Sequence, residues 1–575
     1  MIRLMRYLKP YALQVAGVLI LTLAGVFSEL FLPRMMGNIV DRGVATGDLS
    51  YIYRTGGLML IIAFLGTTAT VISRYMSAKA AVAFGRDLRS DVFKKVESFS
   101  LNEIDKMGTS SLITRTTNDV SQMQNVTIMS MRMMIRAPFM MIGGIIMATS
   151  TNLELSKVLL ISAPILVAVI WVIGVKGFPL FKEIQKKIDG LNRVLRESLT
   201  GIRVIKAFNK MDHEKKRFNE ANRDLTGTAL KVGRIMALMM PILNVVLNFT
   251  VVGVIWYGST LIEMRGLEVG QLMAFVQYVS QIMFSLIMVS MIFVMLPRAS
   301  ASAERINEVL DLRSEIEDGS LSLEEASGRG ELRLEGVTFK YQDASTPAVE
   351  EISFRTKIGE TTAIIGGTGS GKTTILNLLM RFYDPTEGRV LINGTDIKTI
   401  RQEELRSKFG LISQKAVLFT GTIRENIAFG KEGATDNEII EALRIAQAWE
   451  FVEEKDEGLS YVLAQGGRNL SGGQKQRLAI ARALVRKPEF YLFDDSFSAL
   501  DFSTDKRLRD DLKPYTKDSA VIIVAQRVST IRDAENIIVL DDGKVAGQGT
   551  HKELIQNCQV YKEIVLSQLG EEAIQ

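Results

Sequence analysis

Six stretches of this 575-residue sequence run for about 17 residues or more without a charged side chain. They lie near Pro10–Ser28, Thr55–Ser73, Ala137–Leu153, Val158–Val175, Ile235–Ile262 and Val269–Pro297. That length matches the hydrocarbon thickness of a bilayer, where backbone polar groups must be satisfied inside their own segment, so each run reads as a spanning helix. A soluble helical core rarely repeats such spans. The overall hydrophobic share, 47 %, is that of an ordinary globular protein, so the information lies in its distribution. Apolar residues gather before residue 300, and of the 26 methionines all but Met380 precede it. The chain is written for two solvents.

Basic residues set the orientation. Residues 74–136 carry Arg74, Lys79, Arg86, Arg89, Lys94, Lys95, Lys106 and Arg115, and residues 176–234 carry Lys176, Lys182, Lys186 and Lys187. Both connections, and the N-terminus with Arg3, Arg6 and Lys9, are expected in the cytoplasm. The start resembles a signal peptide in charge, but no small-residue cleavage site follows and the run continues as a full span. The two basic connections hold apolar residues at helical spacing (Leu191, Val194, Leu195, Leu199), which predicts spanning helices prolonged into cytoplasmic stalks. Methionines such as Met129, Met131, Met133, Met134, Met140, Met283, Met288, Met291 and Met295 suit a cavity for varied apolar ligands, or ordinary packing. Gln271, Gln277, Gln281, Asn244 and Asn248 more readily join helices than bind cargo. Asp41 suits an outer gate or a solvated loop. The net charge of +5 gives no case for nucleic acid. A single cysteine, Cys558, leaves no intramolecular disulfide.

After Pro297 the text changes. Arg298–Asp318 is a charged amphipathic helical run, with Ile306, Val309 and Leu310 at helical spacing, and Ser320–Arg329 a polar linker, which puts a boundary near residue 325 between domains 1–325 and 326–575. The second domain is an α/β pattern of short strands and helices. Within it, Gly366-Gly367-Thr368-Gly369-Ser370-Gly371-Lys372-Thr373 fits the phosphate-binding loop G-x-x-x-x-G-K-[ST], fed by an apolar strand and followed by a helix from Thr374. Glycines let backbone N–H groups converge on phosphate oxygens, Lys372 can reach the outer phosphates, and Thr373 can ligate Mg²⁺. The apolar strand at Phe490–Phe493 ends in Asp494 and Asp495, where such proteins place a carboxylate supporting Mg²⁺. Ser471-Gly472-Gly473-Gln474 opens another helix and is a second anion-binding device. Tyr341, in a strand-like context upstream, can stack on a base. One ATP needs two anion devices only if they come from different molecules.

Over its whole length the chain resembles a half-transporter of the ATP-binding cassette (ABC) exporter family: six membrane helices, then one cassette. The resemblance implies that Gly366–Thr373 is the Walker A loop and that Asp494 ends Walker B. It makes Leu470–Gln474 the signature, Gln414 the Q-loop glutamine (near Mg²⁺), Ser498–Asp501 the D-loop and Tyr341 the adenine-stacking residue. Gly108–Val120 and Ala207–Phe218 resemble coupling regions. Two cassettes of this family pair head to tail, each ATP lying between one chain's Walker motifs and the other's signature.

The sequence departs from its family twice. The residue after the Walker B aspartate is usually Glu, the general base; here it is Asp495, one methylene or about 1.5 Å shorter. The switch residue is usually His; here it is Gln526, and the only histidines, His213 and His551, stand elsewhere. A positioned base contributes about 10²- to 10⁴-fold, and a glutamine offers no imidazolium. ATP binding should survive and hydrolysis at this chain's own site should be slow. The expectation is a heterodimer whose partner supplies Glu and His, with hydrophobic drug-like or lipid cargo, in a bacterial plasma membrane. The alternatives are a homodimer with slow turnover, a lipid flippase, and an ATP-gated channel or regulator.

Overall fold

The computed structural model describes residues 1–322, 330–342 and 344–570, with the backbone alone at 176, 178, 181, 182 and 290–298. The boundary expected at residue 325 lies outside the described residues, as do the side chains of Lys176, Lys182, Met291 and Met295. The chain divides into two units, Met1–Ser98 with Gly108–Leu312, and Phe99–Met107 with Arg313–Gln575.

The helices of the first part of the chain are α1 (Ala12–Asn38), α2 (Leu49–Glu97), α3 (Leu101–Met107), α4 (Thr109–Thr114), α5 (Val120–Met129), α6 (Ile135–Thr151), α7 (Lys157–Thr200), α8 (Ile202–Ala207), α9 (Met211–Glu263) and α10 (Val269–Asp311). Among the described residues six helical tracts are long and apolar enough to cross a membrane. Phe64, Trp171 and Trp256 are exposed on them, as side chains solvated by lipid tails can be. The four longest helices, α2, α7, α9 and α10, have 49, 44, 53 and 43 residues. At 1.5 Å per residue they measure about 65–80 Å, more than twice the hydrocarbon thickness of about 30 Å. The spanning helices therefore continue well past the lipid. The stalk periodicity was only partly a packing signal, because Val194 is buried and Leu191 half-buried whereas Leu195 and Leu199 are exposed.

Polar anchors fix this bundle. Asp48 caps α2 by accepting the Tyr51 amide at 3.0 Å. Asp41 accepts the Gly270 amide at 2.5 Å, at the start of α10. A Cβ at Gly270 would fall 2.1 Å from the Gly37 carbonyl, so the two backbones touch there. Gln281 reaches the Glu29 carbonyl at 3.3 Å and joins α10 to α1. Farther along α10, Arg305 donates to the buried carboxylate of Asp119 at 2.7 Å, and Ser302 donates to it at 2.9 Å. The charged run after Pro297 is the continuation of the sixth span. It ends at Asp311, not at Asp318, because from Arg313 the chain belongs to the second unit: Ile316 is buried and Leu321 bridges to Ile400.

The second unit contains β1 (Glu331–Phe339), β2 (Val349–Lys357), β3 (Thr361–Gly366), α11 (Lys372–Leu379), β4 (Glu387–Ile392), β5 (Thr395–Asp396), α12 (Gln402–Ser407) and β6 (Phe409–Ile412). There follow β7 (Gly421–Thr422), α13 (Ile423–Ala428), α14 (Asp436–Ile445), α15 (Trp449–Glu453), β8 (Val462–Leu463), α16 (Gly472–Leu484) and β9 (Phe490–Asp494). The last elements are α17 (Phe502–Tyr515), β10 (Ala520–Val524), α18 (Val528–Ile531), β11 (Asn536–Asp541), β12 (Lys544–Gly549), α19 (His551–Asn557) and α20 (Gln559–Leu569).

The principal sheet has the order β12-β11-β3-β10-β9-β6, parallel except for the edge strand β12. Its central strands are buried on both faces, hence the unbroken apolar runs Phe490–Phe493 and Ala520–Val524. The period of two sorts side chains into two cores. Ala363, Ile365, Tyr491, Phe493 and Ile523 face the helical side, whereas Ile364, Phe490, Leu492 and Ile522 face the antiparallel sheet β2-β1-β4-β5. In β1 a register shift between Leu334 and Val337, at Gly336 (φ 57°), keeps Leu332, Leu334, Val337 and Phe339 all buried. Strands β3, β10 and β9 are adjacent and parallel, so the segments after Gly366, Val524 and Asp494 emerge together at one sheet edge.

Candidate functional site

The loop after β3 is shaped by its glycines. Gly369 and Gly371 have φ of 87° and 95°, the left-handed region that favours glycine. A Cβ at Gly371 would lie 2.5 Å from the Val349 side chain, whereas Gly367 and Gly369 have nothing within 4 Å. That open space above the backbone fits a phosphate group. Thr368 is exposed and Ser370 buried beneath the loop. Lys372, at the start of α11, curls back so that its Nζ donates to the carbonyls of Gly366 at 3.0 Å and Gly367 at 2.6 Å. Burial pushes its pKa down, and the charges of Asp495 and Asp494 oppose that shift. Incoming phosphate oxygens would offer this ammonium a stronger partner than two carbonyls do.

Thr373 donates to Asp494 Oδ1 at 3.2 Å. The register pairs Asp494 with Val524 across β9 and β10. A hydroxyl and a carboxylate beside the loop form a donor set suited to Mg²⁺, which would neutralise charge on the outer phosphates of ATP. Burial raises the Asp494 pKa above the ordinary aspartate range; Thr373 and Lys372 oppose the shift, and the neighbouring Asp495 charge adds to it. A protonated carboxyl is a poor cation ligand. Mg²⁺-dependent nucleotide affinity should therefore fall, as pH is lowered, at a pH above that expected of a free aspartate. Fluorescent-nucleotide titrations across pH check this, and Asp494→Asn should remove that acid limb.

Asp495 follows with φ 44°, an uncommon backbone for a non-glycine residue. Its N–H donates to the Val524 carbonyl at 2.8 Å, and its side chain is buried. Gln414 donates to Asp495 Oδ2 at 3.2 Å and Gln526 donates to the same oxygen at 2.9 Å. The residues expected at the base and switch positions thus meet each other: the Asp495 carboxylate is held by the amides of Gln526 and Gln414.

Ser471 caps α16, accepting the Gln474 amide at 3.2 Å while Gln474 Oε1 accepts the Ser471 amide at 2.9 Å. A Cβ on Gly472 would meet nothing within 4 Å, and one on Gly473 comes no nearer than 3.4 Å to any neighbour. Among the described residues no hydrogen bond joins Ser471–Gln474 to Gly366–Thr373. Asp501, ending Ser498–Asp501, caps α17, and its pKa is lowered by Ser503 and Thr504. Tyr341 lies two residues beyond β1, not inside a strand. Its hydroxyl meets Thr374 Oγ1 at 3.1 Å, and its ring stands edge-on to Phe339 and Tyr383.

Three features escaped the sequence reading. The helix α3, with Phe99–Met107, belongs to the second unit, while the expected coupling stretch Gly108–Val120 stays in the first, as does Ala207–Phe218. Tyr383 donates to Asp105 of α3 at 2.8 Å, which ties α3 to the aromatic cluster around Tyr341. Gln568 of α20 donates to the Gln526 carbonyl at 2.7 Å and accepts the Val528 amide at 2.8 Å. It fastens the backbone on either side of Arg527. A lone glutamine late in a sequence carries no local signal of such a role.

The chain matches the family descriptions "ABC transporter transmembrane region" over residues 15–286 and "ABC transporter" over residues 349–498. It is 41 % identical over 570 residues to an uncharacterised ABC transporter ATP-binding protein of Mycobacterium tuberculosis, covering 98 % of this chain and 97 % of the relative. It is 30 % identical to a fatty acid ABC transporter ATP-binding/permease protein of Mycobacterium bovis, covering 98 % and 95 %. A solved bacterial Atm1-family ABC exporter with ATP bound aligns with TM-score 0.79 and 26 % identity, over 97 % of this chain and 98 % of that one. The chain therefore belongs to the ABC transporter family, as an exporter-type half-transporter: a multi-pass membrane protein with a cytoplasmic ATPase domain.

Proposed function

We propose that this chain is the nucleotide-retaining half of a heterodimeric exporter. The observation that carries the reading is the shared Oδ2 of Asp495, held by Gln414 at 3.2 Å and Gln526 at 2.9 Å. A carboxylate engaged by two amides, on a side chain one methylene short, is poorly placed to take a proton from water. The loop Gly366–Thr373, Thr374 and Tyr341 would hold ATP, and Thr373, Asp494 and Gln414 would hold Mg²⁺. Ser471–Gln474 would close over a partner's ATP, where that partner's Glu and His act. Nucleotide binding would close the cassettes, and the long helices would carry that closure to the spans, opening the cavity outward. Hydrolysis at the partner's site resets it.

The cargo is proposed to be hydrophobic or amphiphilic, and a fatty acid transporter among the relatives favours lipid-like cargo over drugs. The membrane is proposed to be a bacterial plasma membrane. Purified alone in detergent or lipid, the chain should bind ATP and Mg²⁺ yet turn over at least about 10²-fold more slowly than with its partner. Brisk turnover by the chain alone would favour a homodimer and defeat this reading.

A further inference from the structure

The last turn of α20 lies against the segment that carries Gln526. In α20 the residues Tyr561, Val565 and Gln568 recur at helical spacing on one face. Tyr561 and Val565 are buried in the core on the helical side of the principal sheet, and the Tyr561 hydroxyl meets His551 Nδ1 at 2.8 Å. That packing sets the direction in which Gln568, itself exposed, projects. Its Nε2 donates to the Gln526 carbonyl at 2.7 Å and its Oε1 accepts the Val528 amide at 2.8 Å. Both halves of one side-chain amide are thus spent on backbone groups two residues apart.

The braced segment cannot hold itself. Helix α18 has four residues, too few to be stable alone, and Arg527 before it supplies no side-chain cap. On one side the Ala525 amide donates to the Ile364 carbonyl at 3.1 Å. On the other, Arg509 of α17 donates to the Ser529 carbonyl at 3.1 Å. Between these anchors it is Gln568 that fixes the backbone of Gln526 and Val528. The orientation of the Gln526 side chain depends on that backbone. Its Nε2 carries two hydrogens. One goes to Asp495 Oδ2 at 2.9 Å, and the other remains for an oxygen of the outer phosphate of ATP.

We propose that Gln568 is a positioning residue for ATP retention. By fixing the backbone around Gln526 it aims the second N–H of the Gln526 amide at the outer phosphate, and so prolongs the stay of ATP, but not of ADP, on this chain. The inference rests on the reading of Gln526 as the residue that faces that phosphate. It adds to that reading a remote determinant, in the last turn of α20, that acts only through Gln526.

The test uses the full chain with its second half in lipid nanodiscs, the second half's phosphate-loop lysine changed so that labelled nucleotide occupies this chain's loop alone. Gln568→Met keeps the side chain's length and loses both hydrogen bonds, and the exposed position favours an intact fold. It should speed ATP release about three- to tenfold, the worth of one neutral hydrogen bond, and leave ADP release unchanged. Gln526→Ala should speed ATP release by a similar factor. The double variant should be no faster than Gln526→Ala, as expected when one residue acts through the other. Equal acceleration of ATP and ADP in Gln568→Met would mark a purely structural brace and overturn the proposal. So would additive effects in the double variant. Gln526→Ala with unchanged ATP release would defeat the reading of Gln526 and this inference with it. A fast Gln526→Ala beside an unaltered Gln568→Met would defeat this inference alone.

Discussion

Gly472→Asp in this chain should lower ATP turnover of the assembled transporter by about 10²-fold or more, whereas Asp495→Ala should lower it less than about threefold. The first change is chosen because it spares the fold. Gly472 is the first residue of α16, a Cβ there meets nothing within 4 Å, and the Ser471–Gln474 capping box does not use the side chain at 472. An aspartate in the first turn even suits the helix dipole. Its carboxylate would, however, occupy the positive N-terminus that is proposed to receive the partner's phosphates, and like charges repel there. Asp495 is different because its oxygen is already engaged by Gln414 and Gln526. If this chain's own site hydrolysed as well as its partner's, removing Asp495 would cost as much as removing the partner's base. Steady-state phosphate release from the two variants, at matched expression and thermal stability, separates the cases.

The membrane half was legible because lipid imposes a rule that sequence cannot evade: charge-free runs near 17 residues or longer must be helices, and six such helices are present. The phosphate loop was legible for a related reason. Its glycines are required by backbone geometry, as the φ of 95° at Gly371 and the crowded space beside it illustrate. What the text concealed were contacts between residues distant in sequence. Gln568 and Gln526 are ordinary amides until α20 lies against the switch segment. Helix α3 looks like part of a basic connection until Leu101 packs on the antiparallel-sheet core. The end of α10 was misread for another reason, since Leu312–Asp318 has helix-compatible composition but the chain from Arg313 on belongs to the second unit. The departures at Asp495 and Gln526 were visible singly. That one carboxylate oxygen joins them to Gln414 required the parallel register of β10 beside β9.

Exchanging both residues together should awaken the site proposed to be silent. In a complex whose partner has its own catalytic glutamate changed to glutamine, Asp495→Glu with Gln526→His should raise residual turnover by about 10²-fold or more. The added methylene carries the carboxylate past the oxygen position now shared by two amides. The histidine removes one of those amides and can present a protonated ring to the outer phosphate, which glutamine cannot do at any pH. Neither single change should suffice. Asp495→Glu alone leaves Gln526 competing for the carboxylate, and Gln526→His alone leaves the base short, so each should gain less than about tenfold. The backbone at 495 already sits at φ 44° and is fixed by the Val524 carbonyl, so lengthening the side chain does not require a new backbone conformation. Gln568 grips the switch segment through backbone atoms and should position a histidine as it does the glutamine. Single-turnover hydrolysis of labelled ATP, with the partner's site disabled, reads the gain directly. A double variant no faster than its parent would place the defect outside these two side chains, in the partner's signature or in closure itself.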